Sequence, residues 1–252
     1  MVSLVTSFKK FKPPYDIIQK SAIYSWRTLS AFVPDSEIDT AKVCSAYPNI
    51  QVLSGVKRAT DMGMNIQVPV FRDLVSRVLP LVHTTMVAVV SSDIILPEDF
   101  LNKCIGAFDK YGYDVIIAGS RHNVKLDSML QDEASYRKLL DEKRQIKDIR
   151  GSDIFITSKF IWRKILSEIP DFLFGRPYLN DWLYNFAEKH KVKKYNCTNT
   201  IVTMHPIHSD DYVRYSEKAA GEGSPTTKHN KQMMWDSGLT LAPRSIKDWP
   251  TL

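Results

Sequence analysis

Val87-Ala-Val-Val-Ser-Ser-Asp93-Ile-Ile-Leu96 runs from a continuous apolar segment into two small residues and one carboxylate. Met86–Val90 is apolar without alternation and too short for a helix, which suits a strand covered on both faces. In open α/β sheets ligands bind outside the carboxyl ends of the strands, so Asp93 stands where a metal-bound diphosphate would sit. Magnesium or manganese is usually held by one or two carboxylates together with the substrate's own phosphate oxygens. The same aspartate also suits a cap or turn before Pro97, and the motif by itself leaves both readings open.

Outward from this segment, apolar runs alternate with stretches of helical period, the signature of a sheet layered with helices. Strand patterns are expected over Val2–Ser7, Asp114–Ala118, Asp153–Thr157, Lys193–Tyr195 and Thr200–Met204, the last two finishing the sheet. Helices are expected over Tyr15–Leu29, from Pro69 to Pro80, from Pro97 to Phe108, over Gln131–Lys147, over Phe160–Leu166 and across Leu179–Ala187. Ala31–Met64 yields little beyond a short strand at Gln51–Leu53. After Tyr212 the chain turns polar around Gly221, Gly223 and Pro225, which reads as a surface loop or tail. The expected organisation is one α/β domain over residues 1–212, a mixed sheet flanked by helices, with 213–252 as a loop or tail packed on it.

The 252 residues suffice for a substantial core, and the apolar and charged fractions are those of a folded globular protein. A formal net charge of +6 permits polyanionic partners without requiring them. Three cysteines, Cys44, Cys104 and Cys197, lie far apart without metal-ligand spacing, which excludes a zinc ribbon and a secreted disulfide framework. Met1–Ser7 lacks the long apolar core of a signal peptide, and no segment has the roughly 20 apolar residues that span a bilayer. The chain is accordingly read as cytoplasmic, with no membrane partner. Walker, GxGxxG, GxSxG and HExxH motifs are all missing.

Two further blocks carry chemistry-bearing residues. Thr200-Ile-Val-Thr-Met-His205-Pro-Ile-His208-Ser-Asp-Asp211-Tyr212 gathers imidazoles and carboxylates just after a strand, donors that suit a borderline metal such as manganese. The alternative is one packed histidine and one solvated one. Pro206 stiffens the segment, so one ring and not both is expected to face an ion. Ile169-Pro-Asp-Phe-Leu-Phe-Gly-Arg176-Pro-Tyr-Leu-Asn-Asp181-Trp182-Leu183 is a shaped turn running into an amphipathic helix. Asp181 there either caps the helix dipole or serves as a general base or acceptor anchor. Arg176 is either a surface arginine or a clamp for diphosphate charge.

Taken in order, these blocks resemble a family of GT-A-like nucleotide-diphospho-sugar transferases of bacteria and plants. The family's first strand ending in threonine and its Gln-x-x-Ala-x-x-Ser-Trp helix are similar to Thr6, Gln19, Ala22, Ser25 and Trp26. Its Asn-Ala-Asp-Ile strand end resembles Ser91-Ser92-Asp93-Ile94, and its Gly-x-Arg resembles Gly119-Ser-Arg121. Its Gly-Ser-Asp-x-Phe strand, its Pro-x-Phe-x-x-Gly-Arg turn before Asp-x-Trp, and its Val-Thr-…-His-x-x-His segment resemble Gly151–Phe155, Pro170–Trp182 and Val202–His208. A late asparagine is similar to Asn230. The family's Leu-Phe-Gly-Asp/Glu strand end has no recognisable counterpart between Ala31 and Ile50, and its Gly-Thr-Pro element is Gln67-Val68-Pro69 here.

The resemblance implies a GT-A-like, Rossmann-type fold and a metal-dependent glycosyltransferase, hexosyl- or pentosyl-transferring, that uses Mn2+ or Mg2+ and a nucleotide-sugar donor, a UDP-sugar first. By it, Asp93 with His205 or His208 would hold the metal. Thr6, Gln19, Ser92, Arg121 and Arg176 would bind the donor, and Asp153 and Asp181 would bind the sugar or activate the acceptor hydroxyl. A nucleotidyltransferase on a similar sheet would want a glycine-rich loop after the first strand, and Phe8-Lys9-Lys10-Phe11-Lys12-Pro13-Pro14 has no glycine. A non-catalytic nucleotide-sugar-binding protein on the same fold is the other alternative. For the acceptor, a saccharide, a small molecule or a hydroxymethylated pyrimidine in DNA all fit. The DNA reading rests on the lysines at 9, 10, 12, 189, 191, 193 and 194, which could track phosphates while a base is drawn from the stack.

Overall fold

The structure, a computed structural model, describes residues 1–141, 145–146, 152–208, 223–239 and 246–252. Of the expected charged helix over Gln131–Lys147, Glu133–Asp141 is helical, Gln145–Ile146 is instead a short strand, and 142–144 and 147 lie outside the described residues, as do Gly151 and Asp210, Asp211 and Tyr212 of the histidine block.

The main sheet has seven strands: β1 (Val2–Val5), β2 (Ser30–Pro34), β3 (Ile50–Leu53), β4 (Met86–Val90), β5 (Val115–Gly119), β8 (Ile154–Ser158) and β9 (Lys193–Asn196), in the order β3-β2-β1-β4-β8-β5-β9. All neighbours pair in parallel except β8, which runs antiparallel to both β4 and β5, so the sheet is mixed as expected. A smaller sheet sets β6 (His122–Val124) between β10 (Met204–Pro206), parallel, and β7 (Gln145–Ile146), antiparallel. Thr200–Met204 therefore does not finish the main sheet. The chain turns at Cys197–Ile201, where Thr200 and Ile201 N–H groups both donate to the Cys197 carbonyl, and only then extends along β6.

β4 lies at the centre, and alternation along it divides the core. Ala88 and Val90 face a layer with Ala22 and Ile23 of α1 (Tyr15–Ser25), Trp26 just after it, Phe100, Cys104 and Phe108 of α4 (Phe100–Tyr111), and Tyr136 of α5 (Glu133–Asp141). Val87 and Val89 face α3 (Phe71–Leu81), α6 (Lys159–Glu168) and α7 (Leu179–Lys189). A tryptophan pins each layer to this strand or its end. Trp26 Nε1 donates to the Ile94 carbonyl and Trp162 Nε1 to the Val87 carbonyl, both at 3.1 Å. Both rings are fully buried, so each indole satisfies its one polar atom while covering a large apolar area.

Two regions differ from the sequence reading. Ala31–Met64 holds β2, a short helix α2 (Thr40–Cys44) and β3, completing the parallel half of the sheet. In place of a polar loop, Pro225–Asp236 forms helix α8, whose N-terminus is capped by Ser224 Oγ accepting from Thr227 N–H. Met234 of α8, Ile246 and Trp249 join the α7 side of the core. Among the described residues no helix is long and apolar enough to cross a membrane.

Candidate active site

β1 and β4 are adjacent and parallel, so their carboxyl ends open on the same side, and a cleft of about 750 Å3 lies there. Ser91–Asp93 follows β4 directly. The Ser91 N–H donates to the Asp153 carbonyl at 3.0 Å and the Ile94 N–H to the Ser91 carbonyl at 3.1 Å, a turn that leaves Asp93 projecting from the strand end. Ile95 and Met204 then exchange backbone hydrogen bonds at 2.8 and 2.9 Å, which lays β10 alongside and brings His205 to Asp93.

Asp93, His205 and His208 form one cluster whose possible ligand atoms all lie within 4.8 Å of one another. Pro206 does not separate the two rings, whose centroids are 5.1 Å apart, so both stand near Asp93. His208 is drawn back by Tyr15, whose ring meets it edge-on at 5.0 Å and whose hydroxyl lies 3.4 Å from Nδ1. Asp93 Oδ2 accepts from Lys9 Nζ at 2.8 Å and lies 3.6 Å from His205 Nε2, whereas buried Asp93 Oδ1 and His205 Nδ1 have no hydrogen-bond partner. Burial alone would raise the Asp93 carboxyl, but Lys9 and His205 outweigh it and hold the group well below the usual carboxylate range. A carboxylate and two imidazoles are a donor set that a borderline divalent ion such as Mn2+ takes, and buried Asp93 Oδ1 and His205 Nδ1 have no partner, so the cluster fits an ion of that kind better than Mg2+, which prefers oxygen ligands.

Lys9 reaches this place because its loop is clamped. Gln19 of α1 accepts from the Lys9 N–H at 2.7 Å and donates to the Lys9 carbonyl at 2.9 Å, satisfying both backbone groups. Gln19 thus fixes the loop and does not line the cleft. Thr6 is likewise fully buried beneath the wall, and Ser7 lines the cleft instead.

On the far wall, Arg121 follows β5 and Asp153 precedes β8. Asp153 Oδ1 accepts from Arg121 Nη1 at 3.2 Å and its Oδ2 from the Arg121 backbone N–H at 3.1 Å. Gly119 permits this corner, since a Cβ there would fall 2.7 Å from Cys197 Sγ. Ser92, Asp93, Arg121, Asp153 and Arg176 all line the cleft. Asp181 does not: it lies in the first turn of α7, and Asn180 beside it faces the cleft, donating to the Ser152 carbonyl at 3.0 Å. The Gly175–Pro177 turn is held by Asn230 of α8. This fully buried side chain accepts from Leu173 N–H at 2.8 Å and donates to the carbonyls of Leu173 and Pro177 at 3.1 and 3.0 Å. Phe174 N–H donates to the Pro69 carbonyl at 2.9 Å, joining that turn to Gln67-Val68-Pro69, which also lines the cleft.

Residues not singled out in the sequence complete the wall. Just after β2, Glu37 lines the cleft. Burial raises the Glu37 carboxyl above its ordinary value, with Lys10, Arg58 and Lys12 pulling the other way. Lys12 lines the cleft too. Elsewhere Lys189 pairs with Glu168 at 2.9 Å, and Lys194 pairs with Glu188.

No protein-family model matches the chain, and no curated protein matches it by sequence. Among solved structures it is similar to residues 1–349 of S. aureus TarS in complex with UDP, with a TM-score of 0.52 and 11% identity over 94% of this chain and 70% of that one. TarS 1–349 in a second crystal structure gives 0.51 and 11% over 92% and 69%. Against a longer TarS chain the values are 0.51 and 11%, and the match covers 94% of this chain but 42% of that one. At this identity the likeness carries the architecture: a GT-A-like, Rossmann-type mixed sheet flanked by helices in a single α/β domain.

Proposed function

We propose that the chain is a metal-dependent glycosyltransferase that moves a hexosyl or pentosyl group from a nucleotide-diphosphate sugar to an acceptor hydroxyl. The observation that carries this reading is the composition of the cleft at the ends of β1 and β4. Lys9, Lys12, Arg121 and Arg176 line it with positive charge, and the Asp93–His205–His208 cluster lies at its edge. UDP bound to TarS, on a similar architecture, makes a UDP-sugar the first donor to test.

A divalent ion held by Asp93 and the imidazoles would supply positive charge that neutralises the nucleoside-diphosphate leaving group. The chain's own cations act on the same charge. Arg121 and Arg176 bind phosphate oxygens, and their donors become more valuable as negative charge develops on departure. Glu37, at the β2 exit, accepts hydroxyl groups of the nucleoside. Asp153, held at both oxygens by Arg121, orients the sugar hydroxyls. Asp181, which does not line the cleft, takes the acceptor's proton through an intervening water. The enzyme works where cytoplasmic nucleotide sugars are available.

A saccharide or small-molecule hydroxyl is the favoured acceptor over hydroxymethylated DNA, because four of the seven lysines that suggest DNA are directed elsewhere. Lys9 and Lys12 face the cleft, and Lys189 and Lys194 pair with glutamates. Mobility shifts on hydroxymethylated duplex DNA over a salt series test that ranking: salt-dependent binding with sugar transfer would reverse it. Hydrolysis and transfer measured across a panel of nucleotide sugars, with Mn2+, Mg2+ or chelator, test the main reading. Binding of UDP without turnover of any donor would favour a non-catalytic nucleotide-sugar-binding protein, and neither binding nor turnover would remove the reading altogether.

A further inference from the structure

We propose that Lys9 is an internal cation that competes with a divalent ion for Asp93 and, once displaced, turns to the phosphates of the bound donor. The inference rests on the metal reading of the Asp93–His205–His208 cluster. Its basis is an asymmetry. The Asp93 side chain is 5% exposed and cannot regain water, whereas the Lys9 side chain is 38% exposed and can. Removing the ammonium therefore costs little on the lysine side and leaves a buried anion that demands another cation.

The geometry confines the exchange to a short swing. Gln19 holds the Lys9 backbone at both its N–H and its carbonyl, so the pivot is fixed and only the flexible stem moves. Lys9 Nζ lies 4.6 Å from the centre of the Tyr15 ring, and that same tyrosine contacts His208. The ammonium thus sits inside the ligand cluster, on the Asp93 oxygen nearest His205. Lys9 also lines the cleft, so the displaced charge remains within reach of a diphosphate. Ion and donor then favour each other. The ion sends Lys9 towards the phosphates, and the phosphates give both the ammonium and the ion new oxygen partners. Such coupling is reciprocal by necessity.

Manganese binding followed by the electron paramagnetic resonance of free Mn2+ tests this without reference to activity. Wild type, Lys9→Met, Lys9→Gln and Asp93→Asn are compared with and without UDP, and melting temperatures with and without Mn2+ report folding. Without UDP, Lys9→Met is expected to bind Mn2+ about tenfold to a hundredfold more tightly than wild type, the scale of one charge-assisted hydrogen bond no longer to be broken. Lys9→Gln should fall between the two, and Asp93→Asn should lose the site. UDP should strengthen Mn2+ binding more in wild type than in Lys9→Met. Equal or weaker Mn2+ affinity in both Lys9 variants, with wild type binding the ion normally, would remove the competition while leaving the metal centre standing. Absence of Mn2+ binding in every protein, with or without UDP, would remove the metal centre and the competition together.

Discussion

Two carboxylate–cation pairs stand on the walls of one cleft, and they are built in opposite ways. In the Arg121–Asp153 pair both side chains are similarly covered, at 21% and 15% exposure, and both aspartate oxygens are bonded to the same residue, one through its side chain and one through its backbone. In the Lys9–Asp93 pair a nearly buried anion faces a cation with access to water, and one anion oxygen has no partner. The first pair is a corner between two strand ends in which both aspartate oxygens are bonded, although Arg121 Nε is buried without a partner, and it is suited to holding a sugar in one place. The second is an incomplete shell, suited to exchanging ligands. Equal formal charge thus conceals different capacities: satisfaction gives rigidity, and orphaned lone pairs give binding potential.

Substitution separates the two pairs. Asp93→Ala should lower donor turnover about a thousandfold or more, the scale of losing the main charge stabilisation at the leaving group. Its fold should survive, because the partner left behind is water-accessible Lys9 and not a second buried charge. Circular dichroism and steady-state rates with Mn2+ check both halves, and near wild-type turnover would show that the incomplete shell is not part of the chemistry. Asp181→Asn asks whether the reaction depends on a carboxylate outside both pairs. Turnover should fall about a hundredfold, the low end of general-base contributions, while calorimetric UDP affinity stays within about twofold. A large loss of affinity at unchanged turnover would reassign Asp181 to donor recognition.

Much of this contrast lay beyond what the sequence could express. β4 and Asp93 were legible because five buried apolar residues leave a strand few alternatives, and the carboxyl end of such a strand is a place of known chemistry. β2 was not legible, since Ser30 and Pro34 flank only three apolar residues and the cleft-lining Glu37 follows outside the strand. α8 escaped because its buried face carries Thr226, Thr227 and Asn230, so no apolar period marks it. The aim of Lys9 is a tertiary fact. A basic loop of two phenylalanines and three lysines looks like solvated surface or a phosphate track until Gln19 and Asp93 are seen to hold one of them. Likewise, only the Ile95–Met204 bridge brings His205 to Asp93.

Arg121→Ala sharpens the comparison from the rigid side. UDP affinity should fall about tenfold through loss of a bidentate-capable phosphate donor. Stability should fall by about 1–2 kcal/mol, since Asp153 keeps only its backbone bond. Mn2+ affinity in the absence of UDP should not change, in contrast with Lys9→Met. A shift in Mn2+ binding comparable to that of Lys9→Met would mean that the two pairs act as one electrostatic unit and that the distinction drawn from their geometry does not hold in solution.

The smallest expected effect is that of Glu37→Gln, and its sign is set by pH. Burial raises the Glu37 carboxyl in the folded protein above the ordinary value of about 4.3 for an unfolded chain. The folded state therefore holds its proton to higher pH than the unfolded state does, and stability falls as pH rises through the window from the unfolded to the raised folded value. Above that window wild type carries a penalty for an ionised, half-covered carboxylate, and the glutamine does not. Glu37→Gln should consequently be the more stable protein at neutral pH, by less than about 1 kcal/mol given solvent screening and the neighbouring cations. The advantage should vanish below about pH 4. UDP binding should move the other way, weakened by loss of an acceptor for the nucleoside hydroxyls. Urea unfolding at several pH values beside UDP calorimetry would read both. A variant that gains stability at neutral pH with unchanged UDP affinity would leave Glu37 a strained wall residue and take the nucleoside away from the exit of β2.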